Sequence, residues 1–413
     1  MSGGSLDGTA AEPCALCGIK RLQEACLTHY LGTCYNSHTV FSPAASYLLP
    51  MPLAPLVGHQ ETRRRLARSV RAGTLPQVLL FTGPTGVGKQ RLALWLAQLV
   101  LCEQASDEPC GTCRACRLVA GLAHADVHWL VPILRPKAGD PDKQVDEAAE
   151  TLAGIMEERR KRPLYTAPDG MAIHSIATVR LLQRRMALTS VEGGRRVFIV
   201  GEADRLVPQE SSPEAANATL KLLEEPPAGA LIVLTTLDPR RVLPTIRSRA
   251  APVRLNRLSD DEVRGFLAQH TEPRWNREKI EERVALASGS IGAALSEGED
   301  VGKAYRSAEQ LLVAVVEGRG AALERALGQG TFAARGDFAA MLDALAETLA
   351  EAARGTMGQP VRRSVPAPLL RHRSPEPLLL AMGKVAEARE AAAGNVNPQV
   401  LLAVLGEDLA EVL

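Results

Sequence analysis

The sequence predicts an α/β fold, a parallel sheet between helices, that gives way to all-helical segments. Three observations carry this. Short apolar runs alternate with helical patterns from Leu56 to about Asn256. A glycine-rich loop joins one such run to a helix. Strand patterns then vanish beyond Leu258. Buried apolar strands alternating with helices require a sheet covered on both faces.

Along the chain, residues 1–50 carry Gly, Ser, Thr and Pro without periodicity, together with Cys14, Cys17, Cys26 and Cys34. They read as a disordered or non-native N-terminal extension; the competing reading is a zinc knuckle begun by Cys14 and Cys17. A well-formed domain is expected over 51–257. In it, Gln77–Thr82 is a short apolar run ending in glycines, hence a buried strand, and Gln90–Leu101 has helical spacing. Arg196–Val200 and Ala230–Thr236 are two further buried strands. Residues 133–172, with the run Glu157-Glu-Arg-Arg-Lys-Arg162, read as a surface insertion with solvated charges; DNA contact by the basic run is the alternative. Ser259-Asp-Asp-Glu262 has the residues of a helix N-cap and acidic first turn. A small helical unit is expected over 258–300, and a second helical domain over 301–413, with breaks at Gly328–Gly336 and Gly355–Pro377.

Composition sets limits. A length of 413 residues exceeds one compact core. A net charge of +1 argues against wholesale wrapping of nucleic acid, and 3% aromatic residues argue against base-stacking platforms. No run of about 18 apolar residues suggests a membrane span. No secretory signal pattern opens the chain, so a cytoplasmic location is expected. The eight cysteines are then thiols or metal ligands rather than disulfides.

Two motifs carry chemistry. Gly83-Pro-Thr-Gly-Val-Gly-Lys89-Gln90 has the strand–loop–helix setting of a phosphate-binding loop. Gly83, Gly86 and Gly88 let backbone N–H groups turn inward, and Lys89 adds charge at the outer phosphates. Gln90 stands where Ser or Thr would bind Mg²⁺, so ATP or ADP with Mg²⁺ is expected to bind more readily than to be hydrolysed. Downstream, Gly201-Glu202 follows a strand where an Asp-Glu pair is usual. Glu202 is either a degenerate water-positioning acid or a surface acid. The second motif is Cys102-x7-Cys110-x2-Cys113-x2-Cys116 over 102–116. Four thiolates at loop-forming spacing make a closed tetrahedral Zn²⁺ site, with no open position for catalysis.

Together these stretches resemble the bacterial DNA polymerase III clamp-loader subunits of the AAA+ class. Leu56-Val-Gly-His59 resembles the adenine-contacting segment. Ala215-Ala-Asn-Ala-Thr-Leu-Lys-Leu-Leu-Glu-Glu-Pro-Pro227 is similar to a family hallmark, and Thr235-Thr-Leu-Asp-Pro239 to the first sensor region. Pro244-Thr-Ile-Arg-Ser-Arg249 resembles the segment with a trans-acting arginine, with Ala250 replacing its cysteine. Gly394-Asn-Val-Asn-Pro398 resembles part of the collar. The resemblance implies an AAA+ P-loop domain, a helical lid and a C-terminal all-α collar used for oligomerisation. Motor subunits carry an arginine in the second sensor, where this chain reads Gly289-Ser-Ile-Gly292.

Loss at Gln90, Gly201 and Gly292 with Arg249 kept resembles the delta-prime, or stator, branch. The resemblance then implies gamma/tau motor and delta partners in a hetero-pentamer. It also implies contact with the sliding clamp and primer-template DNA through the complex. Arg249 would act as an arginine finger on a neighbour's nucleotide; its plainer reading is a surface residue beside a strand. The alternatives are an ATP-hydrolysing gamma/tau-type motor of the same machine, or an unrelated P-loop kinase or zinc-dependent nucleic-acid binder.

Overall fold

The structure, a computed structural model, describes residues 55–161, 172–192, 194–206, 214–271, 274–295, 298–329, 335–359, 361, 365–392 and 396–413. The expectations for 1–50 and for Gly394 and Asn395 lie outside these. In chain order the elements begin with α1 Gln60–Arg71, β1 Val78–Thr82, α2 Lys89–Leu101, α3 Arg114–Ala120 and β2 Val127–Leu130. Next come α4 Pro141–Lys161, α5 Ile176–Ala187, β3 Arg196–Val200, α6 Glu214–Glu224, β4 Ala230–Thr236, α7 Pro244–Arg247 and β5 Ala251–Arg254. The helical remainder is α8 Asp260–His270, α9 Arg277–Ala287, α10 Ile291–Leu295, α11 Gly298–Glu317, α12 Arg319–Leu327, α13 Arg335–Thr356, α14 Glu376–Ala391 and α15 Pro398–Val412.

The five strands form one parallel sheet in the order β2-β3-β4-β1-β5. The three expected strands are its centre, with Val78 opposite Ile232 and Arg196 opposite Ala230. The two edges, β2 and β5, are additional to the sequence reading. Both are short, and β5 contains Pro252, which an edge tolerates because one side needs no ladder donor. Apolar side chains of β1, β3 and β4 are buried on both faces among α1, α2, α4 and α5. This is the expected α/β architecture.

One expectation is corrected. Where it is described, over 133–161 and at 172, the stretch 133–172 is not simply a solvated insertion. Ile133 and Ile173 bridge as antiparallel partners, and α4 buries Val145, Ala148, Leu152 and Ile155 in the sheet domain's core. Arg159, inside the basic run, is only 9% exposed. Its spacing from Ile155 continues the apolar stripe, which carries it inward while Lys161 stays outside.

After β5 the chain forms two further apolar clusters. The first gathers Leu258, Val263, Phe266, Leu267, Ile280, Val284, Ala287 and Ala294 from α8–α10, with Val57 against it. Ser259 opens α8 with a capping box: Glu262 N–H donates to Ser259 Oγ at 3.2 Å, and Ser259 N–H to Glu262 Oε2 at 2.8 Å. The second cluster belongs to α11–α15, with Leu311, Leu345, Leu349 and Leu402 at its centre. Arg257 bridges both, donating to Ser288 O at 2.8 Å and to Glu347 Oε1 of α13 at 3.0 Å. Among the described residues no helix is long and apolar enough to cross a membrane.

Candidate functional site

In a parallel sheet, ligands gather at the carboxyl ends of the strands. Here β1 ends in the phosphate loop, β3 in Gly201-Glu202, and β4 in Thr235-Thr236. The loop is held by its carbonyls. Lys89 Nζ donates to Gly83 O and to Pro84 O, both at 2.7 Å. Ser290 Oγ donates to Thr85 O at 2.9 Å, and Gly292 N–H to Gly86 O at 3.0 Å. His59 Nε2 donates to Val87 O at 2.8 Å, which places its proton on that nitrogen. Five consecutive carbonyls are thus tied, which orders the loop for its amides to form an anion-binding nest at the start of α2.

Gly86 adopts φ 71°, and the lid approaches it backbone to backbone. A Cβ on Gly292 would lie 2.7 Å from Gly86 Cα, and one on Gly86 would collide with Ser290 Oγ. With α8–α10 in this position no side chain fits at 292, where the resemblance would place an arginine.

The other two departures form one unit. A Cβ on Gly201 would lie 2.9 Å from Gln90 Nε2 and 3.2 Å from Gln90 Cδ. The amide thus fills the space where a metal-orienting acid would begin. Arg159 NH1 donates to Gln90 Oε1 at 3.3 Å, and its guanidinium lies 4.2 Å from the Trp129 ring centroid. Arg159 is the site residue that sequence reasoning missed. The signal available was its place on α4's buried stripe.

Around this unit, burial lowers Lys89 to about 8, against the pull of Asp204 and Glu202. Burial, helped by Arg159, lowers Arg91 to about 10. Glu202 sits at a left-handed φ of 54°, its carboxylate paired with Arg205 at 2.8 Å; burial raises its pKa. Its N–H donates to Thr235 Oγ1 at 3.2 Å, and Thr236 Oγ1 donates to Asp204 Oδ1 at 2.7 Å. Buried His174 donates from Nε2 to Gly201 O at 2.6 Å, and burial lowers its pKa to about 4.

Arg249 is exposed just beyond α7. It donates to Glu224 Oε1 at 2.6 Å and to Thr245 O at 2.8 Å, and also contacts Ser248 Oγ. None of these partners belongs to the chain's own phosphate loop.

The four sulfurs of Cys102, Cys110, Cys113 and Cys116 lie within 4.8 Å of one another. Two pairs, Cys110–Cys116 and Cys102–Cys113, are 4.0 Å apart. A tetrahedron with Zn–S of about 2.3 Å has edges of about 3.8 Å, so the donors fit. Backbone N–H groups of Cys110, Cys113 and Cys116 point at sulfurs of the set at 3.3–3.4 Å. The Cys113 N–H chiefly brings the Cys110 thiol down to about 6, whereas burial pushes Cys116 up. The loop is fixed to α2 by Gln98 Nε2, which donates to Cys116 O at 3.0 Å, and by Trp95 Nε1, which donates to Glu108 at 2.7 Å.

Residues 58–259 match the family described as "DNA polymerase III, delta subunit". The DNA polymerase III subunit delta' of Bacillus subtilis is 29% identical over 184 residues, 45% of this chain and 43% of that protein. The delta' of Escherichia coli is 28% identical over 335 residues, 79% of this chain and 86% of that protein. The gamma/tau subunit of Mycobacterium bovis is 29% identical over 224 residues, 54% of this chain and 32% of that protein. The match therefore spans less than half the length of the Bacillus and Mycobacterium relatives. A phosphate loop at the end of a parallel strand, a helical unit packed on it, and these matched residues make the chain similar to the clamp-loader subunits of DNA polymerase III, the delta' subunits among them.

Proposed function

We propose that the chain is the delta-prime, stator-type subunit of a DNA polymerase III clamp loader. It assists ATP-driven loading of a sliding clamp onto primed DNA by presenting Arg249 to the nucleotide of a neighbouring gamma/tau-type motor. The observation that carries this reading is a contrast within one chain. Its own phosphate loop has Gln90 packed over Gly201 and Gly292 packed on Gly86, so the metal hydroxyl, the metal-orienting acid and the sensor arginine are replaced together. Arg249, by contrast, is kept and exposed. A transition-state arginine is worth about 10³–10⁵ in rate in other phosphoryl-transfer systems. In this reading Glu202 does not position water, because Arg205 holds it.

Cys102, Cys110, Cys113 and Cys116 hold one structural Zn²⁺, which supplies cross-linking rather than catalysis. The helical segment 301–413 serves as the collar that joins motor and delta subunits in a hetero-pentamer, with 51–257 as the AAA+ domain and 258–300 as the lid. The deciding experiment combines the chain with motor and delta subunits and measures ATPase stimulated by clamp and primed DNA. Stimulation that requires this chain, with background turnover by the chain alone, supports the proposal. Motor-like turnover by the isolated chain, abolished by Lys89→Ala, replaces it with the motor reading.

A further inference from the structure

A phosphate loop ordinarily holds Mg²⁺ through a hydroxyl just after its lysine and an acid at the end of a neighbouring strand. In this chain both positions are altered, and what occupies the region is a cation. Gln90 lies across the Cα of Gly201, 2.9 Å from where a Cβ would sit. Its oxygen accepts from the Arg159 guanidinium at 3.3 Å. Arg159 comes from α4, is 9% exposed, and is held 4.2 Å over the Trp129 ring. Trp129 lies on β2, next to β3 in the sheet, so Arg159 is held over the strand beside the one that leads into Gly201.

The chemistry of the substitution is consistent. A guanidinium is charged at every physiological pH, is weakly hydrated, and meets phosphate oxygens with a planar fork. Stacking on an indole face stabilises it where a hydrated ammonium would not be. The loop itself keeps everything that binds phosphate without metal. Its carbonyls are tied, its glycines take left-handed φ values, and Lys89 is in place.

We infer that Arg159 stands in for the divalent cation of the phosphate loop, so that this chain's own site takes the polyphosphate of a nucleoside diphosphate or triphosphate without metal. Gln90 and Gly201 are then not losses but the fittings that seat Arg159: the glutamine positions the guanidinium, and the glycine makes room for the glutamine. The inference stands on the phosphate loop alone and is independent of the stator proposal.

The test titrates a fluorescent ADP analogue into the full chain in millimolar Mg²⁺ and, separately, in excess EDTA. The wild type is expected to bind in both, with affinities within about threefold, a small step on the free-energy scale. Arg159→Met should weaken binding by about tenfold or more in EDTA, the loss of one charge-assisted partner. The combined variant Gln90→Thr, Gly201→Asp, Arg159→Met rebuilds the metal site and should bind about tenfold better with Mg²⁺ than in EDTA. Binding by the wild type only with Mg²⁺ overturns the inference. So does equal binding by the wild type and Arg159→Met, or binding in neither condition. The wild-type comparison decides by itself should either variant fail to fold. A purely structural role for Arg159 would alter thermal stability without altering the Mg²⁺-to-EDTA ratio.

Discussion

The cysteine loop and the phosphate loop lie at opposite ends of the same helix, α2, and are built on opposite principles. The cysteine loop draws all four donors from 15 consecutive residues, 102–116, and its geometry follows from local spacing alone. The phosphate site is assembled from β1, β3, β4, α4 and the lid, so each departure from the usual pattern has its meaning only in its neighbours. Gln90, Gly201 and Gly292 look like three independent losses along the chain. In space, the first two are one packed unit with Arg159, and the third is a contact surface for Gly86. The four cysteines of the short-range site, expected together from their spacing, do lie together. A long-range site is read correctly only for the parts that its backbone fixes.

The sharpest break in this comparison is at the cysteine set, where the proposed Zn²⁺ would be lost. Cys113→Ser should lower bound zinc from about one equivalent to a small fraction and destabilise the sheet domain by more than about 3 kcal/mol, since metal binding to a loop without a core of its own is folding energy. Metal analysis with thermal denaturation checks it. Retained zinc and an unchanged melting temperature would remove the metal role.

The next effect concerns His174, which pins the carbonyl of Gly201. Its folded pKa of about 4 lies below the ordinary value of 6.5. Between those values the unfolded chain binds a proton that the folded chain excludes, so stability is intact above about pH 6.5 and falls as the pH drops towards 4. The full loss is of order 3 kcal/mol at about 1.4 kcal/mol per pH unit. Urea denaturation at pH 7.5 and 4.5 should show the loss, and His174→Asn should flatten the acid limb while lowering stability at neutral pH. An identical slope in wild type and variant would assign the acid sensitivity elsewhere.

A smaller effect is expected at the lid. Gly292→Arg restores the sensor residue by name but puts a Cβ 2.7 Å from Gly86 Cα. The lid must shift, at about 1–3 kcal/mol, the usual penalty for overpacking. Hydrogen exchange of α10 should quicken. Unchanged protection together with gained ATPase would mean that only the arginine had been missing.

The smallest change in stability belongs to Arg249→Ala, below about 0.5 kcal/mol for an exposed side chain. Its effect should be functional: slower clamp loading by the reconstituted complex, partly rescued by Arg249→Lys, whose ammonium lacks the planar fork. Lys89→Ala should alter loading little. The reverse pattern would exchange stator for motor.

What was legible in the sequence follows the same division. Gly83–Gln90 and the four cysteines each fall within one short stretch, so their residue patterns show without reference to any distant part of the chain. The central strands β1, β3 and β4 are apolar on both faces and stand out as uninterrupted runs. The edge strands did not stand out: β2 offers only Val-His-Trp-Leu, and β5 only Ala-Pro-Val-Arg. Arg159 was hidden by its neighbours. Within Glu157–Arg162 its charge reads as one of a solvated group, and only the spacing from Leu152 and Ile155 places it on the inward stripe of α4. The close approach of Gly86 and Gly292 joins residues more than 200 positions apart, which no local pattern encodes.

Arg257 gives the molecule a mechanical property of its own. Its guanidinium links the lid's Ser288 to Glu347 of α13, yet its side chain is 42% exposed and that of Glu347 32%. A pair so open to water is worth at most about 1 kcal/mol, which leaves at least roughly one molecule in six with the link undone at any instant. The joint is therefore a spring and not a weld. The lid and the helical segment behind it return to one angle, with a restoring force soft enough for thermal motion to sample its neighbours, and softer still as salt screens the pair.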